Sequence, residues 1–239
     1  MKHKTGRLLT SIVYLLTCFN SHAGNLLANH WIKSIFPTMM PSTQTALLGI
    51  ACSDSQQQCV AVGFSNVASP MSSLVYTSND GGNTWSNPIQ PAVVFDAPEY
   101  LLGVDCSADG LHCTAVGTST VGTNSNLPLS YRTIDGGNTW SSRTLLASPI
   151  NSTINILNDI ACDTQGINCA AVGLSVINDR HVPLVYTSTD GGNTWSTPVQ
   201  PTLPPTATFG ALLGISCDNN ALRCSAVGYA EVAEINIPL

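Results

Sequence analysis

The sequence predicts an all-β fold, a β-propeller of four-stranded blades with about 55 residues per blade. Three observations predict it. The first is composition: of 239 residues, 44% are apolar, 9% charged and 6% aromatic, with 19 glycines and 14 prolines. So few charges exclude a coiled coil, a long-helix bundle and a charged disordered chain, while Gly, Pro, Ser, Thr and Asn suit short strands joined by turns. The second and third are an eight-residue element that occurs three times and a cysteine pair that occurs four times.

The octapeptide is Ser-Asn-Asp-Gly-Gly-Asn-Thr-Trp at 78–85, Thr-Ile-Asp-Gly-Gly-Asn-Thr-Trp at 133–140 and Ser-Thr-Asp-Gly-Gly-Asn-Thr-Trp at 188–195, with its Asp 55 positions apart each time. The cysteines are Cys52 with Cys59, Cys106 with Cys113, Cys162 with Cys169 and Cys217 with Cys224, at steps of 54, 56 and 55. Apolar residues precede each first cysteine, as in Leu47, Leu48 and Ile50, and predict one strand. A second starts after each second cysteine and ends at Gly63, Gly117, Gly173 or Gly228. A third runs through Tyr76, Tyr131 or Tyr186 into the Asp-Gly-Gly turn, and a fourth starts at the Trp.

Trp31 extends the phase. It precedes Cys52 by 21 residues, as Trp85 precedes Cys106. The predicted blades are therefore about 47–90, 101–146, 157–200 and 211–239. The last stops where its third strand should start. Two accounts of that ending stand side by side: residues 31–40 complete the last blade and close a ring of four, or the chain is part of a longer array.

Residues 1–23 read as a secretory signal peptide: Lys2, Lys4 and Arg7, then an apolar stretch at 8–19, then a small-residue site for cleavage after Ala23. The apolar stretch is too short for a membrane span. Cleavage leaves five of the eight basic residues against 14 acids, a formal charge of −9. Such a chain repels phosphate backbones and anionic membranes, so no nucleic-acid partner is expected. A secreted or periplasmic location follows.

Asp-Gly between two strands is a hairpin signal, because glycine reaches positive φ cheaply and the carboxylate accepts nearby amides. Asp80, Gly82, Thr84 and Trp85, with Asp135, Gly137, Thr139 and Trp140, and Asp190, Gly192, Thr194 and Trp195, thus have a structural reading. The pattern Ser/Thr-x-Asp-x-Gly-x-Thr-Trp resembles the Asp-box, or bacterial neuraminidase repeat, of sialidases, sortilin-type receptor domains and photosystem assembly factors. The resemblance implies a β-propeller with the box between the third and fourth strands. It does not imply sialidase chemistry, since the box recurs on unrelated activities.

Sialidases use an arginine triad, an Arg-Ile-Pro motif, a Tyr/Glu pair and an acid/base Asp. After residue 23 this chain has Arg132, Arg143, Arg180 and Arg223, no Arg-Ile-Pro, and only Glu99, Glu231 and Glu234 as glutamates. No triad or Tyr/Glu pair is evident from the sequence, and catalytic residues remain unknown. The expected role is a non-catalytic module that binds a protein or a glycan, with a sialidase-like glycoside hydrolase, or a fragment of one, as the alternative.

The even pairs of cysteines in a chain with an export signal suggest disulfides, 52 with 59 and so on down the chain. Zinc is the rival, but a six-residue spacer exceeds the two to four usual between thiolates. No metal and no cofactor are expected. The segments where the repeats diverge are the loops between second and third strands and the links between blades, and variable loops on a regular scaffold carry binding. Asp179, Arg180 and His181 form the densest polar cluster there, and Glu99 and Arg143 join them as candidate ligand contacts.

Overall fold

The structure, a computed structural model, describes residue 37 and residues 44–66, 70–91, 97–121, 125–233 and 235–239. The predicted signal peptide, its cleavage site and the strand expected after Trp31 lie outside the described residues.

Every described element is a strand, and the strands form four antiparallel sheets in chain order. Blade 1 comprises β1 (Thr45–Cys52), β2 (Cys59–Ser65) and β3 (Ser72–Ser78). Blade 2 comprises β4 (Glu99–Cys106), β5 (Cys113–Val121), β6 (Ser125–Thr133) and β7 (Thr144–Leu145). In blade 3, β8 (Ser152–Cys162), β9 (Cys169–Ile177) and β10 (Arg180–Ser188) pair in that order. Blade 4 holds β11 (Ala207–Cys217), β12 (Cys224–Val232) and β13 (Ile235–Pro238).

The glycine that closes each Ala-Val run has a steric cause. A Cβ on Gly63, Gly117, Gly173 or Gly228 would overlap the carbonyl oxygen of Ala46, Tyr100, Ile156 or Ala211 on the inner strand. At that point the inner strand bulges, between Leu47 and Gly49 in blade 1 and at the matching place in the others. The bulge brings one backbone against the other, and only a residue without a side chain fits.

The fourth strand is shorter than the repeat predicts. Pairing begins four residues after the Trp, not at it: Ile89 bridges Val75 and Val199 bridges Val185, while only blade 2 gains a two-residue strand, Thr144–Leu145. Pro88 and Pro91, like Pro198 and Pro201, flank the single bridging residue and supply no N–H to a ladder. Blade 2 has Arg143, Thr144 and Leu145 there and pairs further.

The blades pack face to face. One apolar core joins Val60, Val62 and Val75 of blade 1 to Leu101, Val104, Leu129 and Tyr131 of blade 2, with Trp140 against it. A second joins Val116 and Leu146 of blade 2 to Leu157, Ile160, Leu184 and Tyr186 of blade 3, with Trp195 against it. The inner strands pack in sequence, β1 with β4, β4 with β8 and β8 with β11. Among the described residues β11 is not packed on β1, so the arc of blades is open. Half-buried acids tie neighbouring blades together: Asp105 Oδ2 accepts the Cys162 amide at 2.7 Å and Asp159 Oδ2 the Ile215 amide at 2.9 Å. Burial raises the carboxyls of both above the ordinary range, against the lowering effect of those bonds.

Candidate functional site

One face of the arc is committed to structure. In each Asp-Gly-Gly turn the carboxylate is consumed locally: Asp80 Oδ1 accepts from the Thr84 amide and the Ser78 hydroxyl, both at 2.8 Å, and Oδ2 accepts from the Thr84 hydroxyl at 2.6 Å. Asp135 and Asp190 repeat this with Thr139 and Thr133, and with Thr194 and Ser188. The Asp80 carboxyl is held below its ordinary range by the Thr84 hydroxyl, then by the Thr84 amide and Ser78. In Asp135 partial burial pushes upward, but the bonds from Thr139 and Thr133 outweigh it and the net shift is down. The following indole faces the turn or the previous blade: Trp140 Nε1 donates to the Gly137 carbonyl at 2.9 Å, and Trp195 Nε1 to Ser130 Oγ at 3.0 Å.

The cysteine loops share this face. Cys52–Cys59, Cys106–Cys113, Cys162–Cys169 and Cys217–Cys224 are all disulfides, each joining the first strand of a blade to its second. The turn glycines bond across to the loops, Gly81 N to Gln57 O at 2.9 Å and Gly136 N to Leu111 O at 2.9 Å. Four disulfides fit an oxidising compartment, extracellular or periplasmic. No helix among the described residues is long and apolar enough to cross a membrane. Among the same residues no three His, Cys, Asp or Glu side chains converge as a metal site would require.

The candidates from divergent segments separate into two groups. Glu99, at the start of β4, and Arg143, before β7, form an ion pair at 2.8 Å. Glu99 is only 3% exposed, and its other oxygen accepts the Tyr131 hydroxyl at 2.7 Å and the Ser73 hydroxyl at 3.4 Å. Arg143 also reaches Ser119 Oγ at 3.3 Å. This network is a buried clamp between blades 1 and 2. Sequence reading missed Tyr131 as its third member, although the sister tyrosine shows what the acid replaces: Tyr186 donates to the Ala147 carbonyl instead, at 2.6 Å. Burial, followed by the hydrogen bond to Glu99, pushes the Tyr131 phenol well above its ordinary range, so it stays neutral.

The second group lies where blade 3 meets blade 4. Asn178 and Asp179 take positive φ, 48° and 63°, in the two-residue turn between β9 and β10, a geometry Asn and Asp tolerate. Asp179 and Arg180 are exposed, and Arg180 donates to the Ala207 carbonyl at 2.7 Å, which fixes the hairpin to the entry of β11. His181 stacks on Phe209 with centroids 4.4 Å apart, and Phe209 stacks on Tyr229 at 5.1 Å. His181 Nδ1 is buried without a hydrogen-bond partner. Glu231 pairs directly with Phe209 across the strands. Phe209 and Tyr229 were not singled out in the sequence. Their only signal is local: Tyr229 occupies the place of Phe64, Thr118 and Leu174 after the repeated glycine, and Phe209 lies in a divergent link.

Antiparallel sheets packed one on the next, with no helix among the described residues, define an all-β protein of propeller type. No protein-family profile matches the chain, and no curated protein matches it. Among solved structures it is similar to a Hadza microbial sialidase, Hz136, at TM-score 0.57 and 12% identity, over 80% of this chain and 43% of the sialidase. An ancestral GH74 enzyme gives TM-score 0.47 at 13% identity over 80% of this chain and 24% of that one. Hydrazine synthase of Kuenenia stuttgartiensis gives 0.45 at 11%, over 80% and 57%. The chain thus spans less than two thirds of the length of each, and at such identity the likeness is one of fold.

Proposed function

We propose that this is an exported, disulfide-stapled propeller of the Asp-box type that acts as a non-catalytic binding module, and that its ligand is a glycan held at the blade 3–blade 4 junction. Residues 1–23 direct it to the oxidising compartment that suits its disulfides and are then removed. The observation that carries the reading is the His181–Phe209–Tyr229 stack, which ends in an unpartnered imidazole nitrogen and is bordered by Asp179, Arg180 and Glu231. Aromatic rings beside a few placed polar groups are the usual composition of a ligand site. A sugar matches both parts, with C–H faces for the aromatic rings and hydroxyls for Asp179, Arg180 and Glu231.

A sialidase-like hydrolase is the second reading, favoured by the contact between the Tyr131 hydroxyl and Glu99 beside Arg143. Tyr131 is 1% exposed and its phenol is held neutral, the opposite of an activated nucleophile. Titration calorimetry of residues 24–239 against neutral and sialylated oligosaccharides separates the two. The binding reading expects saturable heat that falls at least tenfold in affinity in His181→Ala and Phe209→Ala, with no turnover of a fluorogenic sialoside. Turnover that vanishes in Tyr131→Phe would establish the enzyme instead.

A further inference from the structure

On the face of the turns and disulfides, the cysteine loop and third strand of one blade lie under the Asp-Gly-Gly turn of the next. Between blades 1 and 2 this junction is uncharged and closely filled. Thr77 is 6% exposed, and a Cβ on Gly137 would lie 2.8 Å from its methyl. Gln58 covers the turn, since a Cβ on Gly136 would lie 3.5 Å from its Oε1.

Between blades 2 and 3 both places change together. His112 stands where blade 1 has Gln58, just before the second cysteine. Arg132 stands where blades 1 and 3 have Thr77 and Thr187, just after the tyrosine. Over Gly191, the counterpart of Gly136, no side chain closes: among the described residues a Cβ there would meet the Gly166 carbonyl alone within 4 Å. A cavity of 340 Å³ lies at this junction, lined by His112, Thr114, Arg132, Ile134, Ile167 and Gly191.

The cation of this cavity is unspent. Among the described residues Arg132 has no carboxylate partner, and its contact with the Asp190 carbonyl is long, at 3.5 Å. The Asp190 carboxylate accepts from Thr194 and Ser188 within its own turn. The lining hydroxyls are engaged as well, Thr114 with the Gly191 carbonyl at 2.9 Å and Thr133 with Asp135 at 2.7 Å. A half-buried guanidinium gives up part of its hydration, and a counter-ion offsets that cost. Beside the cation the rim is apolar: Ile134, in the place of Asn79, is 63% exposed, and Ile167 is 47% exposed.

We propose that this cavity binds a carboxylate carried on a short apolar chain. Arg132 takes the carboxylate, His112 adds a ring N–H at the mouth, and Ile134 and Ile167 flank the chain. A guanidinium presents a planar fork of donors that matches a carboxylate. One fixed cation suits a single negative charge better than a phosphate dianion. The volume is near the lower end for ligand pockets, about 300 to 1,000 Å³, which suits a group the size of one amino-acid residue. The last residue of a peptide and a free aliphatic acid share this chemistry. The site is separate from the His181 stack and does not depend on it.

Chemical-shift titration of the exported chain, isotope-labelled and with its disulfides formed, tests the proposal. N-acetyl-leucine is expected to move the Gly166 and Gly191 amides saturably, and N-acetyl-leucinamide, the same body without the charge, to bind at least tenfold more weakly. Hexanoate bound at least as tightly as N-acetyl-leucine would support the site with a free acid as its source, and weaker binding with a peptide end. Arg132→Thr, which restores the residue of the sister blades, should lower affinity for N-acetyl-leucine at least tenfold with an unchanged melting temperature. Ile134→Asn should weaken binding severalfold and keep the preference for acid over amide. No saturable shift with either acid, equal binding of acid and amide, or undiminished binding by Arg132→Thr would overturn the proposal. So would tighter binding of inorganic phosphate than of N-acetyl-leucine. Sugar calorimetry on Arg132→Thr reports on the His181 stack separately.

Discussion

Thr114 of blade 2 stands directly beneath Gly192 of blade 3: a Cβ on that glycine would lie 2.6 Å from Thr114 Cγ2. Gly192 also takes φ +79°, so two independent constraints exclude a side chain. The turn is therefore a lock between blades as well as a reversal within one. Gly192→Ala is expected to cost about 2 to 3 kcal/mol, of which about 1 is backbone strain and the rest overlap. Thr114→Gly in the same chain should recover the overlap share only, as chemical denaturation of the single and double variants would show. Full additivity of the two losses would refute the lock.

The Asp135 carboxylate holds its turn through Thr139 and Thr133, and those bonds keep its carboxyl below the ordinary range. A depressed folded value means that the stabilisation is complete above the unfolded carboxyl range, near pH 4, and is lost as pH falls through the folded value. The melting temperature of the parent chain should drop between about pH 4 and pH 2. In Asp135→Asn it should start lower at pH 7 and fall less over the same range. The carboxylate is only half-buried, so the effect is modest and shrinks with salt.

What could be read from the sequence was what repeats. The octapeptide spacing implied the three turns, and the equal cysteine spacing implied four disulfides with the pairing observed. Strand placement followed from the apolar runs, although the fourth strand did not follow from the Trp, because flanking prolines delay and shorten its pairing. The candidate site was legible only where residues adjoin in the chain, as Asp179, Arg180 and His181 do. Phe209 and Tyr229 reach His181 through packing of blade 4 on blade 3, and Tyr131 reaches Glu99 across 32 positions. Such contacts depend on how blades face each other, and a period along one chain carries no information about that.

Glu99 and Arg143 illustrate a buried pair whose halves differ in value. Arg143→Ala leaves a nearly buried carboxylate without its cation and is expected to destabilise by about 3 to 5 kcal/mol. Glu99→Gln with Arg143→Met removes both charges and should cost far less, since the desolvation of each ion disappears with it. Urea denaturation of the parent, the single variant and the double variant provides the comparison. A double variant that loses as much as Arg143→Ala would refute the reading that the unpaired buried carboxylate carries the cost.

Two of the disulfides present an exposed cysteine, Cys52 in Cys52–Cys59 and Cys224 in Cys217–Cys224, whereas Cys106–Cys113 and Cys162–Cys169 each join a half-buried to a buried cysteine. Exchange requires a thiolate to reach a sulfur, so access orders the rates when the four loops are of equal length. Under mild reductant without denaturant, alkylation and peptide mass spectrometry should find Cys52, Cys59, Cys217 and Cys224 labelled first, at least tenfold faster than the other four. Each bridge closes a short loop between adjacent strands, and its loss should leave blades 2 and 3 folded. Labelling at equal rates would show instead that the bridges open only on global unfolding, which would make the two outer blades as firmly held as the two between them.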